Sequence, residues 1–354
     1  MSSTFSDILP TPTDALPGDS DHSHDEEHNC GAGGGADTLF GLRVAAIFVI
    51  LLGSTLGALF PVLARRSSWL HVPKGVFDFA RYFGSGVIIA TAFIHLLAPG
   101  LEALGSPCLA EGWHEYPYAL ALCLLSIFCI FVVELIAFRW GTTKLAKLGL
   151  YHDAHGHAVG SHAAHGPEGD LVDGKAEQSS DLEAHKPTYD NSTIAQMIGI
   201  AILEFGVVLH SILIGLTLAV DEDFKILFVV IVFHQTFEGL GIGSRLAYLR
   251  LPEKYNYVPI LAALVYGITT PVGIAVGLGI RSTYNPESTT ASIVSGTMDS
   301  ISAGILIYTG LVELLAHDFL FNKEMMNASN GKLAYALGSM MLGCALMSLL
   351  GKWA

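Results

Sequence analysis

The sequence predicts an all-α membrane protein that crosses the bilayer eight times, and three observations carry that prediction. Only 14% of the 354 residues are charged while 51% are apolar, whereas soluble domains carry about a quarter charged residues. The mean hydropathy is +0.51. The apolar residues gather into separate runs of about 20, the length at which a helix spans the hydrocarbon core. Such runs must be helices, because backbone groups in lipid have to be satisfied within the segment.

The runs can be taken in order. A polar, acidic tail, 1–39, lacks a basic-then-apolar signal pattern, so the first run, 40–63, is expected to direct membrane entry. Arg65, Arg66, Lys74 and Arg81 lie around the connection to the second run, 76–97. The second connection has no Lys or Arg but carries Glu102, Glu111 and Glu115, and leads to the third run, 117–138. A long third connection, 139–193, holds Arg139, Lys144, Lys147, Lys175 and Lys186. The fourth run, 194–220, passes through the acidic segment 221–225 into the fifth, 226–248, which is followed by Arg250 and Lys254. The sixth, 258–280, contains Pro271, which frees a backbone carbonyl and suggests a kink. The seventh, 293–316, and eighth, 333–350, are separated by Lys323 and Lys332. Counting Arg245 with the fifth connection, most of the 18 basic residues fall beside odd-numbered connections. Basic residues accumulate on the cytosolic side, so those connections are assigned inward and both termini outward. The chain thus divides into an outer tail (1–39), helices one to three (40–138), a cytosolic loop (139–193), helices four and five (194–248) and helices six to eight (249–354).

A net charge of −14 disfavours nucleic acid and anionic substrates and concentrates cations near an acidic outer face. Cys123, Cys129 and Cys344 fall within helices as packing residues; Cys30 and Cys108 both face outward on this topology, free to form a disulfide or to remain thiols. Two segments are rich in histidine. His22, His24 and His28 sit among five acids in 19–30, and His152, His155, His157, His162 and His165 sit among Gly and Ala in 151–166. Neither composition can build a core, and neutral imidazole is a common ligand of zinc and its neighbours. Both tracts are expected to bind metal weakly and reversibly, the second one in the cytosol.

A charged side chain at the bilayer centre costs about 2.5 to 3.5 kcal/mol, which makes each one a functional candidate. His234 and Glu238 are four residues apart in "VFHQTFEGLG", one turn apart on one helix face. His210 and Ser211 lie outward of the middle of the fourth helix, and His234 outward of the middle of the fifth. At about 1.5 Å per residue, both imidazoles reach the same depth. Two nitrogens and a carboxylate oxygen, with Ser211 and Gln235 alongside, suit a divalent ion such as zinc. The simpler alternative is a His–Glu hydrogen bond that glues two helices, but that needs only one polar pair. Gly199, Gly206 and Gly215 in the fourth helix and Gly239, Gly241 and Gly243 in the fifth are expected to let these two helices approach closely. Sorted by depth, His95 and Asp299 lie toward the outer ends of their helices, Glu204 inward of the middle, and Glu134, Glu313 and His317 near the cytosolic ends. That order resembles a path, although each residue has an equally good reading as a structural hydrogen-bond partner.

With these residues in hand, the chain resembles the Zrt/Irt-like (ZIP) family of divalent-metal transporters, in particular its fungal and plant members. The resemblance rests on "HSILIGLTLAV", "HQTFEGLGIGSRL", "ATAFIHLLAP", "LVELLAHDF" and the histidine-rich third connection, and extends from Phe40 onward. It implies a bundle in which three helices at each end are related by pseudosymmetry around the fourth and fifth, both termini outside, and metal moving into the cytosol. The family's metal-site residues fall on His210, Ser211, His234, Gln235 and Glu238. Some prokaryotic members carry an acidic residue one turn after the fourth-helix histidine, where this chain has Ile214, so a full second site is not expected. The expectation is zinc as transported substrate, taken up by alternating access at the plasma membrane. No organic cofactor or nucleic acid is expected; the partners are the cation and the bilayer, with a homodimer left open. Two alternatives remain: an iron or manganese transporter of the same family, and an intramembrane zinc hydrolase, which wants three firm ligands, an open water position and a separate base. No HExxH occurs.

Overall fold

The computed structural model describes residues 30–31, 38–67, 72–147, 191–249, 251 and 253–353. The histidines of both tracts lie outside the described residues. Eight helices are long and apolar enough to cross a membrane, and no strand occurs among the described residues. They are α1 (Phe40–Arg66), α2 (Lys74–Leu104), α3 (Tyr118–Lys147), α4 (Asn191–Val220), α5 (Phe224–Tyr248), α6 (Val258–Ile280), α7 (Thr289–Leu320) and α8 (Asn330–Leu350). All eight expected spans are present. Several run longer than expected, among them α2, which continues about two turns past 97 to Leu104, α3, which continues to Lys147, and α7, which is longer at both ends; α2 and α7 each contain a π-helical segment, Thr91–Leu97 in α2 and Thr309–Leu320 in α7. In α2 the cause is local. Pro99 has no amide to donate to the carbonyl four residues back, and the Ala98 amide reaches five residues back to Phe93 instead.

α1 packs on α5 and α6, α4 on α6, α2 on α8 and α5, α3 on α7, and α7 on α2 and α4. Exchanging α1–α3 with α6–α8, and α4 with α5, maps these pairings onto one another, which is the pseudosymmetry the family resemblance implies. The two π-containing helices, α2 and α7, are counterparts under this exchange. Paired interruptions in the two halves of a transporter mark the region of its binding site.

Close backbone approach is widespread but does not join α4 to α5, contrary to expectation. A Cβ on Gly241 of α5 would lie 3.0 Å from Gly84 Cα of α2, and one on Gly215 of α4 would lie 3.0 Å from Gly273 Cα of α6. Gly199 has open space before it. The small residues pull α4 and α5 against their outer neighbours, and the gap between the two is filled by side chains. The freed carbonyl below Pro271 is satisfied rather than exposed: Gly267 O accepts from Ser54 Oγ of α1 at 2.9 Å.

At one end of the bundle Cys30 and Cys108 are joined by a disulfide. Asn285 Nδ2 donates to Gly31 O at 2.8 Å, and Thr289 Oγ1 to Cys108 O at 2.8 Å. The N-terminal segment, the α2–α3 connection and the start of α7 therefore meet at the same end.

The same end is held by a buried arginine. Arg43 of α1 donates to the carbonyls of Leu218, Ala219 and Asp221 at 2.7–3.1 Å and lies over the Phe224 ring at 4.6 Å. The last carbonyls of a helix have no intrahelical donors, so Arg43 completes the C-terminus of α4 and fixes its turn into α5. Arg43→Ala removes several charged hydrogen bonds at once and is expected to cost about 3 kcal/mol. Thermal unfolding of the purified protein in detergent should show a midpoint several degrees lower; an unchanged midpoint would contradict this role.

Candidate metal centre

α4 supplies His210 and Ser211, and α5 supplies His234, Gln235 and Glu238; all five are buried. On α5 the i, i+4 spacing stacks His234 and Glu238 on the face turned to α4. The two imidazoles face one another with Nε2 atoms 3.4 Å apart, and His234 Nε2 is 3.9 Å from Glu238 Oε2. One ligand atom from each of His210, His234 and Glu238 lies within 4.8 Å of the others.

These separations are long for hydrogen bonds, so a His–Glu bond that glues the helices would be a weak one. They suit a shared cation. Two nitrogens bound to tetrahedral zinc at about 2.05 Å stand about 3.3 to 3.4 Å apart. The remaining atoms point the same way: His210 Nδ1, Ser211 Oγ, His234 Nδ1, Gln235 Nε2 and Glu238 Oε1 are buried without hydrogen-bond partners among the described residues. Interiors satisfy about 90% or more of such groups, so a concentration of unsatisfied atoms on these five residues marks a site that still lacks a partner, and two imidazoles with a carboxylate are of borderline-metal character.

His95 was expected toward the outer end of α2 but touches the centre. Its ring meets that of His234 edge to face, with centroids 4.7 Å apart, and Nε2 is 2.9 Å from Met347 O of α8. An Nε2–H held by a carbonyl leaves Nδ1 as the lone-pair nitrogen. The π segment of α2 places it there, in keeping with the use of π turns at functional positions.

The other expected path residues are not gathered with these. Asp299 is buried on α7. Glu204 of α4 is half-buried, with Oε1 lacking a partner. Glu134 of α3 accepts from Tyr308 of α7 at 2.7 Å, a structural bond between two helices. Glu313 and His317 are half-buried within the π segment of α7.

A model of the ZIP Zinc transporter family matches residues 40–351. The chain belongs to that family. Among its ZIP relatives, zinc-regulated transporter 2 of Saccharomyces cerevisiae is 36% identical over 93% of this chain and 98% of its own length. Zinc-regulated transporter 1 of the same yeast is 41% identical over 89% of this chain and 88% of its own, and zinc-regulated transporter 1 of Schizosaccharomyces pombe 39% identical over 89% and 85%. Membership of a transporter family, together with the eight apolar helices, makes the chain an integral membrane transporter and sets the hydrolase alternative aside.

Sequence reasoning missed an ion-pair cluster in this ZIP protein. Arg81 and Arg245 were counted as charges of connections, but they lie on α2 and α5. Asp318 of α7 accepts from Arg245 Nη2 at 2.6 Å and also from Arg81, and Arg245 Nη2 donates to Ser85 Oγ at 2.6 Å. Tyr266 of α6, fully buried beside Gln235 and Glu238, was missed as well. A tyrosine in an apolar run gives no signal by itself. The neighbouring charge His317–Asp318 late in a transmembrane run was the available clue to the ion pair.

Proposed function

We propose that this ZIP protein takes up zinc into the cytosol by alternating access through a site built from His210, His234 and Glu238, with Ser211 and Gln235 beside them. The observation that carries this reading is the pair of buried imidazoles whose Nε2 atoms stand 3.4 Å apart next to a buried carboxylate whose Oε1 has no hydrogen-bond partner among the described residues. The names of the relatives, which are zinc-regulated transporters, support zinc as the substrate.

In this mechanism a hydrated cation is collected at the acidic outer face and passes Asp299 and His95. At the centre the imidazoles and the carboxylate replace its water, and the metal charge offsets the cost of burying Glu238. One group of helices then moves against the other to open the site inward, past Glu204, Glu313 and His317. The basic residues of the odd-numbered connections support an orientation with both termini outside, and the plasma membrane is the expected site of uptake. The histidine-rich third connection, with His152, His155, His157, His162 and His165, buffers or senses the arriving metal.

Uptake of radiolabelled zinc by cells lacking their own zinc uptake is the direct test, with iron(II), manganese and cadmium as competitors. Saturable accumulation above empty-vector cells is expected. Accumulation no higher than in those cells would overturn the proposal, and competition stronger by manganese or iron than by unlabelled zinc would reassign the substrate.

A further inference from the structure

We infer that Tyr266 is a positioning residue of the metal centre: its hydroxyl holds the side-chain amide of Gln235 in a hydrogen-bond chain and so aims the amide oxygen at the cation. This inference rests on the metal site proposed above.

Tyr266 reaches the site from α6, a third helix, and is fully buried. Its hydroxyl oxygen is 2.7 Å from Gln235 Oε1, 2.7 Å from the Gln235 backbone carbonyl and 3.4 Å from Glu238 Oε2. A hydroxyl has one proton to donate and two lone pairs to accept with, so it cannot serve three acceptors. The backbone carbonyl has two lone pairs, so it can take the tyrosine proton in addition to its intrahelical donor. At 3.4 Å Glu238 Oε2 is beyond the range of a good O–H···O bond, which leaves the two Gln235 oxygens competing for one proton.

With Oε1 toward the tyrosine, Gln235 Nε2 is buried with no partner, and the amide offers the site an NH2 group that has no lone pair for a metal. Turning the amide over resolves both problems. Nε2–H then donates to the tyrosine oxygen, the tyrosine O–H donates to the Gln235 backbone carbonyl at 2.7 Å, and Gln235 Oε1 is released toward the imidazoles. Each proton is used once, in a short chain with one direction, amide to hydroxyl to backbone carbonyl. The ring is fixed in place: a Cβ on Gly239 would come within 2.9 Å of Tyr266 Cε1.

Only the hydroxyl does this, because the chain needs a group that accepts on one side and donates on the other. Phenylalanine keeps the ring and its packing, so Tyr266→Phe separates positioning from packing. Loss of an outer partner of a metal ligand costs about 10- to 100-fold in affinity, so KM for zinc uptake should rise by that factor. At unchanged surface abundance, Vmax should stay within about twofold, since the groups that release the metal are untouched. Gln235→Ala should raise KM similarly, and the double variant should be no worse than either single one, because both break the same chain. An unchanged KM in Tyr266→Phe, or losses that multiply in the double variant, would overturn the inference.

If the Phe variant reaches the surface poorly, the purified full-length protein provides the reading. The zinc concentration needed to raise its thermal midpoint should increase by about the same 10- to 100-fold, and wild-type zinc dependence would overturn the inference. Full uptake in His234→Ala would instead refute the metal site itself, so the two failures are distinguishable.

Discussion

Glu238→Ala, and separately His210→Ala, reduces zinc uptake to the empty-vector level while leaving the protein at the cell surface. The reason is the small number of donors. Among the described residues two imidazoles and one carboxylate are close enough to share an ion, and of these only Glu238 can offset its charge in surroundings with little water. Without that carboxylate, a dication between His210 and His234 gives up its hydration for two uncharged ligands. Without His210, the 3.4 Å nitrogen pair that matches tetrahedral zinc is gone. Glu238→Gln separates charge from shape: it fills the same volume, so a carboxylate that merely packs would tolerate it, whereas a charge-offsetting ligand would not. Labelled-zinc uptake together with surface biotinylation checks all three variants. Because burying a carboxylate that has only long contacts and one oxygen without a partner is costly, Glu238→Ala should unfold in detergent no earlier than wild type and should lose stabilisation by added zinc. Wild-type uptake in both alanine variants would remove these residues from the transport path.

The eight spans were legible because lipid imposes a length and a composition that few other environments require. The meeting of His210 and His234 was legible for an equally simple reason, since a fixed rise per residue converts position in a run into depth. What the sequence left out is azimuth. It showed that Gly215 and Gly241 are small, but not that they face α6 and α2 rather than each other. The same gap hid Tyr266, whose hydroxyl matters only because α6 presents it to α5. Depth failed where the helix itself is irregular. His95 was placed outward of the centre, and the π segment at Thr91–Leu97 sets its ring against His234. Cys30 and Cys108 could be put on one side by topology, yet only the fold brings them into bonding distance.

Asp318→Ala should be among the most destabilising single changes in the bundle. Asp318 is 3% exposed and is shared by Arg81 of α2 and Arg245 of α5, so one carboxylate holds two guanidinium groups. Removing one member of a buried ion pair leaves uncompensated charge and costs about 3 to 5 kcal/mol; here two like charges would also be left facing each other. Arg245 is seven residues beyond Glu238 on α5, two turns or about 10 Å further along the same face. The helix that carries half the metal ligands is thus clamped to α2 and α7 at that point, and its loss should loosen the ligands as well as the fold. The expected result is a large drop in the thermal midpoint in detergent and reduced surface abundance, with uptake per surface molecule also lowered. Replacing all three members by leucine, Arg81→Leu with Arg245→Leu and Asp318→Leu, should recover much of the lost stability, because well-packed apolar groups commonly substitute for a buried ion cluster without loss. It should not recover uptake if the clamp is what holds α5 in register with α2 and α7. Wild-type stability of Asp318→Ala would show that the two arginines reach water or another acceptor and that the clamp contributes little.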